Sequence, residues 1–216
     1  VLHSWDDAGW RFINRAYDSL EGMTVAGVSQ KVLDRYAGWA KDKHHRVVGV
    51  LTPPVSEFAS VKGQYDPKGR LVVGWMGRPL ESKGILALPY LLAEDPRIVI
   101  RAWTGSETAG LAYTQKVQAE TLAQVKELAA KLGVADRLDL RPLDFNPFSY
   151  RHRLEGCHVL LGNSEKEGFL LTAAEALSCG IPVVVTKTCG IADFIKSGRN
   201  GYLIDWNANP KKLAKE

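Results

Sequence analysis

The chain has 216 residues, 45% of them hydrophobic, which is enough to bury one large core or one domain and part of another. Its 28 basic and 24 acidic side chains give a net charge of +4, too small to indicate a nucleic-acid partner. A modest positive bias nevertheless suits an anionic ligand such as a nucleoside diphosphate. No apolar run approaches the length of about 18 residues that spans a membrane, and no signal-peptide pattern is present.

The cysteines Cys157, Cys179 and Cys189 lie in or beside apolar segments and show no C-x-x-C spacing. Their odd number and their spacing favour reduced thiols over disulfides or a zinc site, which predicts a cytoplasmic location. Peripheral contact with a membrane stays open. Because the chain begins at Val1 and ends at Glu216 within a short helical pattern, we expect it to be a fragment.

Residues 1–54 predict the order helix, strand, helix, strand. The elements are a helix at Trp5–Leu20, a strand at Thr24–Val28, a helix from the N-cap Ser29 to Trp39 and a strand at Arg46–Leu51. Because two strands alone do not make a stable sheet, we interpret residues 1–54 as the tail of a preceding α/β domain. Prolines followed by a polar run indicate a linker over residues 55–69.

Residues 70–216 alternate apolar strands with helices. Strands are predicted at Leu71–Met76, Ile98–Trp103, Leu138–Leu140, His158–Leu161, Val183–Thr186 and Tyr202–Ile204. Helices are predicted at Ile85–Ala93, Leu111–Leu132, Pro147–Glu155, Leu170–Cys179 and Ile191–Ser197. Apolar strands that each precede a helix imply a parallel sheet covered on both faces. The predicted fold class is therefore α/β, a Rossmann-like doubly wound parallel sheet of about six strands, preceded by a partial α/β domain.

The first strand of this second domain ends in a loop, Gly77 to Gly84, that carries two cations. Arg78 offers a fixed guanidinium fork and Lys83 a mobile ammonium, and both groups suit a diphosphate. Two solvated loop cations are an equally good interpretation of this loop alone. The loop lacks the Walker A pattern and the G-x-G-x-x-G fingerprint, which argues against ATP hydrolysis and NAD binding.

Two glutamates, Glu167 and Glu175, flank the start of the helix predicted after the fourth strand. Their spacing allows both carboxylates to face one crevice at the strand's carboxyl end, the usual ligand site of an open α/β sheet. The free N–H groups of Leu170, Leu171 and Thr172 at the helix start would add an anion site. Solvated surface glutamates are the commoner outcome for an arbitrary pair at this spacing.

Small-residue turns follow two further strands. The second strand ends in Thr104-Gly105-Ser106-Glu107, which would let a ligand approach the backbone, and the turn from Lys187 to Gly190 follows the fifth strand. Either segment is also consistent with a plain turn. Together with the Arg/Lys loop and the glutamate pair, these turns place anion-binding or close-approach chemistry on one rim of the predicted sheet.

These residues, in this order, resemble the retaining GT-B glycosyltransferases of family 4, which use nucleotide-sugar donors. The resembling segments are Gly77-Arg78 with Lys83-Gly84, then Asn163 to Phe169, Glu175 to Val184 and Ser197 to Leu203. The resemblance covers Arg70 to Asp205, and extends weakly to Val25–Ser29, which is similar to the last strand-to-helix turn of the acceptor domain. The glutamate spacing alone is a weak signal, but the combination of segments is strong.

The resemblance implies catalytic roles for Arg78, Lys83 and Glu167. The matched arginine and lysine of the family bind the diphosphate and stabilise the charge that grows as the nucleotide leaves. The matched first glutamate contacts hydroxyls of the donor sugar. The resemblance implies neither a metal nor another cofactor, and no enzymic nucleophile, because retention in this family is usually ascribed to attack on the same face.

Further positions are implied to bind the donor. Glu175 would contact the ribose hydroxyls, the Leu171 and Thr172 amides would cap the phosphate, and Gly105 would permit close approach. The implied donor-binding set is Gly77, Gly105, Gly168, Phe169, Leu170, Leu171, Thr172 and Glu175.

The chain also departs from the family pattern. Leu170 stands where the family commonly has glycine, so the resemblance does not extend to the backbone clearance near the sugar. Cys189 replaces a frequent glycine, and Asp193 a usual glutamate. Since the acceptor domain is nearly absent, we expect this chain alone to bind donor without completing transfer.

The predicted function is transfer of a hexose from a UDP- or GDP-sugar to an acceptor that these residues do not name. A GT-B-fold epimerase or phosphorylase is the alternative among enzymes, and a catalytically silent nucleotide-sugar-binding domain is the alternative outside them. No nucleic-acid partner is expected, because the cations are scattered. Lys211, Lys212 and Lys215 fit a solvated helix face, with a membrane-surface patch as the alternative.

Overall fold

The structure is a computed structural model that describes residues 22–55, 61, 64–105, 112–142 and 150–206. Several predictions fall outside these residues: the helix at Trp5–Leu20, residues 147–149 of a later helix, Ser106 and Glu107, and the lysines Lys211, Lys212 and Lys215. Within the described ranges, no helix is long and apolar enough to cross a membrane.

The described elements follow the predicted order closely. The strands are β1 (Thr24–Gly27), β2 (Arg46–Val50), β3 (Leu71–Gly77), β4 (Ile98–Thr104), β5 (Leu138–Pro142), β6 (Val159–Gly162), β7 (Val183–Thr186) and β8 (Gly201–Ile204). The α-helices are α1 (Gln30–Asp42), α2 (Leu88–Glu94), α3 (Ala112–Lys131), α4 (Tyr150–Leu154) and α5 (Leu171–Ser178).

Six strands form one parallel sheet in the order β5-β4-β3-β6-β7-β8. The order reverses between β3 and β6, which pair with Val73 opposite Val159. In a doubly wound sheet of this kind, ligands bind outside the carboxyl ends of the strands at the point of reversal. The predicted fold class is confirmed.

Both faces of the sheet are buried, because side chains alternate between the faces along each strand. In β3, Val73 and Trp75 face a core that α2 and α3 cover with side chains such as Leu92 and Val125. Met76 belongs to the opposite core, to which α5 and the N-terminal elements contribute. The helices therefore leave the ends of the strands accessible to a ligand.

The N-terminal unit, which we define as β1, α1 and β2, is a parallel strand pair with a helix beside it. Ser29 caps α1 as predicted, because its side-chain oxygen accepts the Val32 N–H at 3.3 Å. Tyr36 and Trp39 of this helix are buried in the same core as Ala173 of α5. Packing against the larger sheet thus stabilises the strand pair, and its assignment to a separate preceding domain stays a prediction.

The helix predicted at Ile85–Ala93 begins differently from the expectation. Two 3-10 turns, Glu81–Lys83 and Ile85–Ala87, precede α2, and Gly84 joins them in a left-handed conformation with φ 76°. Pro89 lies in the first turn of α2, where its missing N–H would have no helical partner.

The helix predicted at Ile191–Ser197 is instead a 3-10 segment at Gly190–Phe194. Asn200 ends it, because its Oδ1 accepts the Lys196 N–H at 2.7 Å and its Nδ2 donates to the Phe194 carbonyl at 3.1 Å. Both backbone groups would otherwise be needed to continue a helix.

Candidate functional site

Two loops lie side by side where the strand order reverses. We define the β3 loop as Gly77–Gly84 and the β6 loop as Asn163–Leu170; they follow neighbouring strands at their carboxyl ends. Arg78 and Lys83 lie on the first loop and Glu167 lies on the second. The residues singled out from the sequence are therefore at the usual ligand position of a doubly wound sheet.

Asn163 ties the two loops together. Its Oδ1 accepts the indole N–H of Trp75 at 3.0 Å, and its Nδ2 donates to the Gly84 carbonyl at 2.8 Å. The Glu165 N–H donates to the Ser82 carbonyl at 2.7 Å. Because Asn163 is buried, its hydrogen bonds are shielded from water and fix the relative position of the loops.

Gly84 is required where the loops meet. Its φ of 76° favours glycine, and a Cβ at this position would lie 2.4 Å from the Asn163 carbonyl oxygen. This close approach brings Lys83, the preceding residue, next to the β6 loop.

Lys83 and Glu167 form an ion pair between the two loops. Their side chains are 17% and 23% exposed, so the pair is partly desolvated and still open to a ligand. The Ser164 hydroxyl donates to the Glu167 Oε1 at 3.2 Å. One position therefore offers a cation that can bind an anionic group and a carboxylate that can accept hydrogen bonds from hydroxyl groups.

Arg78 lies beside the end of β4. A Cβ on Gly105 would lie 3.5 Å from the Arg78 Cγ, and the Gly105 N–H donates to the Gly77 carbonyl at 3.1 Å. The Arg78 side chain is exposed, and no ion pair joins it to another described residue. Its guanidinium is therefore available to a ligand at the rim, separately from the Lys83–Glu167 pair.

α5 begins directly after the β6 loop, with Leu170 as its N-cap residue. The Ala173 N–H donates to the Leu170 carbonyl at 3.1 Å. The backbone N–H groups of Leu170, Leu171 and Thr172 make no backbone hydrogen bond with any residue that the structure describes. These N–H groups thus have no backbone partner there, and an anion site at the helix start stays a prediction.

Leu170 adopts a backbone conformation that favours glycine, with φ 76° and ψ 71°. Its side chain is 9% exposed and lies in the core, where its Cδ2 is 2.5 Å from the position of a Cβ on Gly162. The backbone thus keeps a left-handed turn without glycine, and the leucine side chain packs over Gly162.

Glu175 lies further along α5, and no hydrogen bond among the described residues joins it to Glu167. Burial raises the pKa of the Glu175 carboxyl to about 6, and the charge of Arg153 opposes that rise. At neutral pH the carboxylate still predominates, and its oxygens accept hydrogen bonds, which suits contact with hydroxyl groups.

The turn after β7 supports the β6 loop. Thr186 Oγ1 donates to the Ser164 carbonyl at 2.6 Å, and the Gly190 N–H donates to the Glu167 carbonyl at 3.1 Å. Cys189 is buried in this turn, and burial raises the pKa of its thiol to about 11. The thiolate is therefore scarcely populated at neutral pH and is a poor candidate for a nucleophile.

Potential metal ligands are dispersed in the part of the chain that the structure describes. No group of three or more His, Cys, Asp or Glu side chains there could hold an ion. A reaction without a metal stays a prediction.

A cavity of about 270 Å³ lies at the opposite end of the strands from these loops. Residues at the beginnings of strands line it, including Leu71, Ile98, Val159 and Val183. Its lining contains no charged side chain and none of the predicted site residues, so it offers no charged group that would bind a phosphate.

Sequence analysis misses the residues that hold the site together. It includes Asn163, Ser164 and Ser29 in segments that resemble the family, and Ser29 also as a helix cap, but assigns none of them a role in holding the site. Polar residues directly after a strand at the switch point are a usable signal for the first two. Ser29 donates its hydroxyl proton to the carbonyl of Gly168, 139 positions away, and no local pattern indicates that contact.

Comparisons with known proteins identify the family. A family model described as glycosyl transferases group 1 matches residues 92–216. D-inositol 3-phosphate glycosyltransferase from Streptomyces bingchenggensis is 34% identical over 161 residues, which cover 69% of this chain and 32% of that protein. The protein of the same name from Mycolicibacterium gilvum is 30% identical over 162 residues, covering 73% and 33%. The chain thus spans about a third of the length of these relatives.

Solved structures share the fold at low sequence identity. Anabaena Alr3699/HepE in complex with UDP-glucose superposes with a TM-score of 0.71 at 19% identity, covering 98% of this chain and 57% of that one. The apo form of the lipopolysaccharide outer core galactosyltransferase WaaB gives 0.67 at 21%, covering 88% and 50%. The family model covers more than half of the residues and the fold agrees with it, so the resemblance inferred from the sequence is confirmed at the level of the family: this chain belongs to the glycosyl transferases group 1.

Proposed function

We propose that this chain carries the donor site of a retaining glycosyltransferase that transfers a sugar from a nucleotide-diphospho-sugar without a metal. The observation that carries the proposal is the Lys83–Glu167 ion pair at the switch point of the sheet. A nucleotide sugar presents an anionic diphosphate directly beside a ring of hydroxyl groups. The pair offers a matching partner to each of these parts, and membership of the family supports the same reaction class.

The cations would stabilise the leaving group. Transfer breaks the bond between the anomeric carbon and a diphosphate oxygen, so negative charge grows on the departing nucleotide. The positive charges of Lys83 and Arg78 stabilise that negative charge, and the Leu171 and Thr172 amides stabilise it further by donating hydrogen bonds. The acceptor oxygen bonds to the same carbon on the same face, and its proton passes to the leaving phosphate oxygen. This route requires no enzymic nucleophile.

Donor binding would replace the Lys83–Glu167 ion pair by contacts of each side chain with the donor. When a phosphate oxygen pairs with Lys83, the Glu167 carboxylate is left to accept hydrogen bonds from the sugar hydroxyls. Ser164 keeps that carboxylate oriented through its hydrogen bond. Glu175 would contact the ribose hydroxyls through its carboxyl oxygens, which accept hydrogen bonds.

The donor is proposed to be a UDP- or GDP-sugar. One structural neighbour was solved with UDP-glucose, which supports a nucleotide-sugar partner in general. Calorimetric titration with UDP, GDP and ADP, followed by the sugar forms of the ligand that binds, tests the proposal. A clear preference for one base supports a donor site. Absence of binding to all three contradicts it.

Arg78→Ala tests the diphosphate assignment. We expect it to weaken binding of the nucleoside diphosphate about tenfold or more and to leave binding of the nucleoside unchanged, since the guanidinium is assigned to the phosphates. Arg97→Ala is the matched control, because Arg97 pairs with Asp95 at the other end of the strands. Equal losses for nucleoside and diphosphate would remove Arg78 from this role.

Glu167→Ala tests the sugar assignment. We expect it to spare binding of the free diphosphate, because Lys83 loses a competing partner, and to weaken binding of the intact sugar nucleotide about tenfold. The comparison of the two ligands in one calorimetric series measures this difference. If both ligands lose affinity alike, the glutamate does not contact the sugar.

A further inference from the structure

The turn after β7 holds two backbone carbonyls of the β6 loop. The Glu167 carbonyl accepts the Gly190 N–H at 3.1 Å, and the Phe169 carbonyl accepts the Ile191 N–H at 2.7 Å. Both donors come from the same sheet domain as the loop itself. This part of the support is therefore present whenever that domain is folded.

The carbonyl between these two, on Gly168, is held by the N-terminal unit. The Ser29 hydroxyl donates to it with an oxygen–oxygen distance of 2.7 Å. The same Oγ accepts the Val32 N–H, so one hydroxyl caps α1 and fixes the loop. Ser29 is 1% exposed, which leaves no room for bulk water to take its place.

A glycine makes this contact close. A Cβ on Gly190 would lie 2.1 Å from the Gly168 carbonyl oxygen and 2.6 Å from the Ser29 Oγ. Three backbone segments therefore meet without space for another side chain. If the hydroxyl is removed, the Gly168 carbonyl stays buried without a donor, and the flexible glycine allows its peptide group to rotate.

We propose that Ser29 is a positioning residue for the donor sugar. It fixes the peptide next to Glu167, and it thereby makes affinity for the sugar depend on docking of the N-terminal unit. This inference rests on the proposed function, which assigns the sugar to Glu167. The diphosphate depends less on the N-terminal unit, because Arg78 and Lys83 lie on the β3 loop, which Asn163 holds from within the sheet domain, and only the Leu171 and Thr172 amides follow the peptide that Ser29 fixes.

Two variants serve as matched controls. Lys31 and Asp193 form an ion pair at 2.6 Å that joins the same two parts of the molecule without contacting the loop backbone. Lys31→Ala therefore removes a contact across the interface and leaves the Gly168 carbonyl bonded. Ala37 is exposed on α1, so Ala37→Gly weakens the helix much as a lost cap does.

Calorimetric titration separates these effects. The ligands are the diphosphate that the unmodified protein binds best among UDP, GDP and ADP, and the tightest of its glucose, galactose and mannose forms. We expect Ser29→Ala to weaken binding of the sugar form about tenfold or more and binding of the diphosphate less than about threefold. Both controls should keep the original ratio. Equal loss for the two ligands, no loss for either, or the same selective loss in a control overturns the inference.

Hydrogen–deuterium exchange provides a second readout that needs no ligand. We expect Ser29→Ala to speed exchange of the Gly190 and Ile191 N–H groups, which donate to the Glu167 and Phe169 carbonyls of this loop, about tenfold, with no such change in the controls. Ser29→Gly, which also removes the hydroxyl but keeps a good helix N-cap residue, is used if the alanine variant does not fold. Unchanged exchange overturns the inference, whereas failure of the unmodified protein to bind any of the three diphosphates contradicts the proposed function instead.

Discussion

The β3 loop and the β6 loop contain the same backbone conformation with opposite side-chain arrangements. Each has one residue with a φ of 76°, Gly84 in the first and Leu170 in the second. At Gly84, the carbonyl oxygen of Asn163 occupies the space that a Cβ would need. At Leu170, the side chain itself fills the neighbouring space, over Gly162.

The comparison teaches that a left-handed position requires glycine only when its surroundings do. A left-handed leucine costs about 1–2 kcal/mol in backbone energy. Burial of a leucine side chain contributes about 1.5–3 kcal/mol, which offsets that cost. A residue at Gly84 has no such compensation, because its neighbour is backbone and not open space. The two positions should therefore respond differently to substitution.

Gly84→Ala is expected to have the largest effect, a loss of about 3 kcal/mol or more in the free energy of unfolding. The left-handed backbone and the overlap with Asn163 act together. Gly133→Ala is the matched control, because Gly133 has φ 67° and no atom within 4 Å of its Cβ position. Its expected loss is about 1–2 kcal/mol. Denaturant unfolding of both variants measures the difference, and equal losses would mean that Asn163 does not impose the glycine.

A double-mutant cycle on Gly162 and Leu170 tests the opposite arrangement. Leu170→Ala should lower the free energy of unfolding by about 2–4 kcal/mol through the cavity it leaves, and Gly162→Ala by about 1–2 kcal/mol through overpacking. In the double variant the new methyl group takes part of the vacated space. We expect its loss to be smaller than the sum by about 1 kcal/mol in denaturant unfolding. Additive losses would show that the two side chains do not share this space.

Replacement of Leu170 by glycine isolates the energetic cost of the left-handed backbone conformation. Leu170→Gly should be more stable than Leu170→Ala by about 1 kcal/mol, since glycine accepts the left-handed conformation freely. Ala174→Gly, inside α5, should instead lower the free energy of unfolding, because glycine in a helix interior costs about 1 kcal/mol. If glycine destabilises both positions alike, the left-handed turn at Leu170 carries no strain.

Much of this fold follows from local sequence. The apolar run Val183–Thr186 is predicted and observed with the same bounds, because a strand buried on both faces needs an unbroken apolar segment. The charged loops after β3 and β6 are predicted to share one rim, and the strand order brings them together. The roles assigned to their side chains stay predictions.

The remaining features depend on contacts between distant residues. The carbonyl of Gly168 is bound by Ser29 from another part of the chain, so nothing near either residue indicates the contact. The segment Gly190–Phe194 is a 3-10 turn and not a helix because Asn200 ends it. Local sequence preference contains no information about hydrogen-bond partners that only the tertiary structure brings together.

The smallest expected effect concerns the environments of the two glutamates, Glu167 on the β6 loop and Glu175 on the helix that follows it. Glu167 is paired with Lys83, whereas burial raises the pKa of Glu175 on α5 from 4.5 to about 6. A raised pKa means that the folded state binds a proton more readily than the unfolded state. The contribution of Glu175 to the free energy of unfolding should therefore fall as the pH rises from 4.5 to about 6, and remain lower above that range.

Glu175→Gln should remove this fall. The full shift corresponds to about 2 kcal/mol, and partial exposure of the side chain reduces the expected effect to about 1 kcal/mol. The variant should match the unmodified protein near about pH 4 and exceed its free energy of unfolding by about 1 kcal/mol near about pH 7.5. Glu94→Gln, on the exposed side of α2, should change neither value. Denaturant unfolding at the two pH values makes the comparison; a parallel pH course for Glu175→Gln and the unmodified protein would mean that Glu175 titrates alike in the folded and unfolded states.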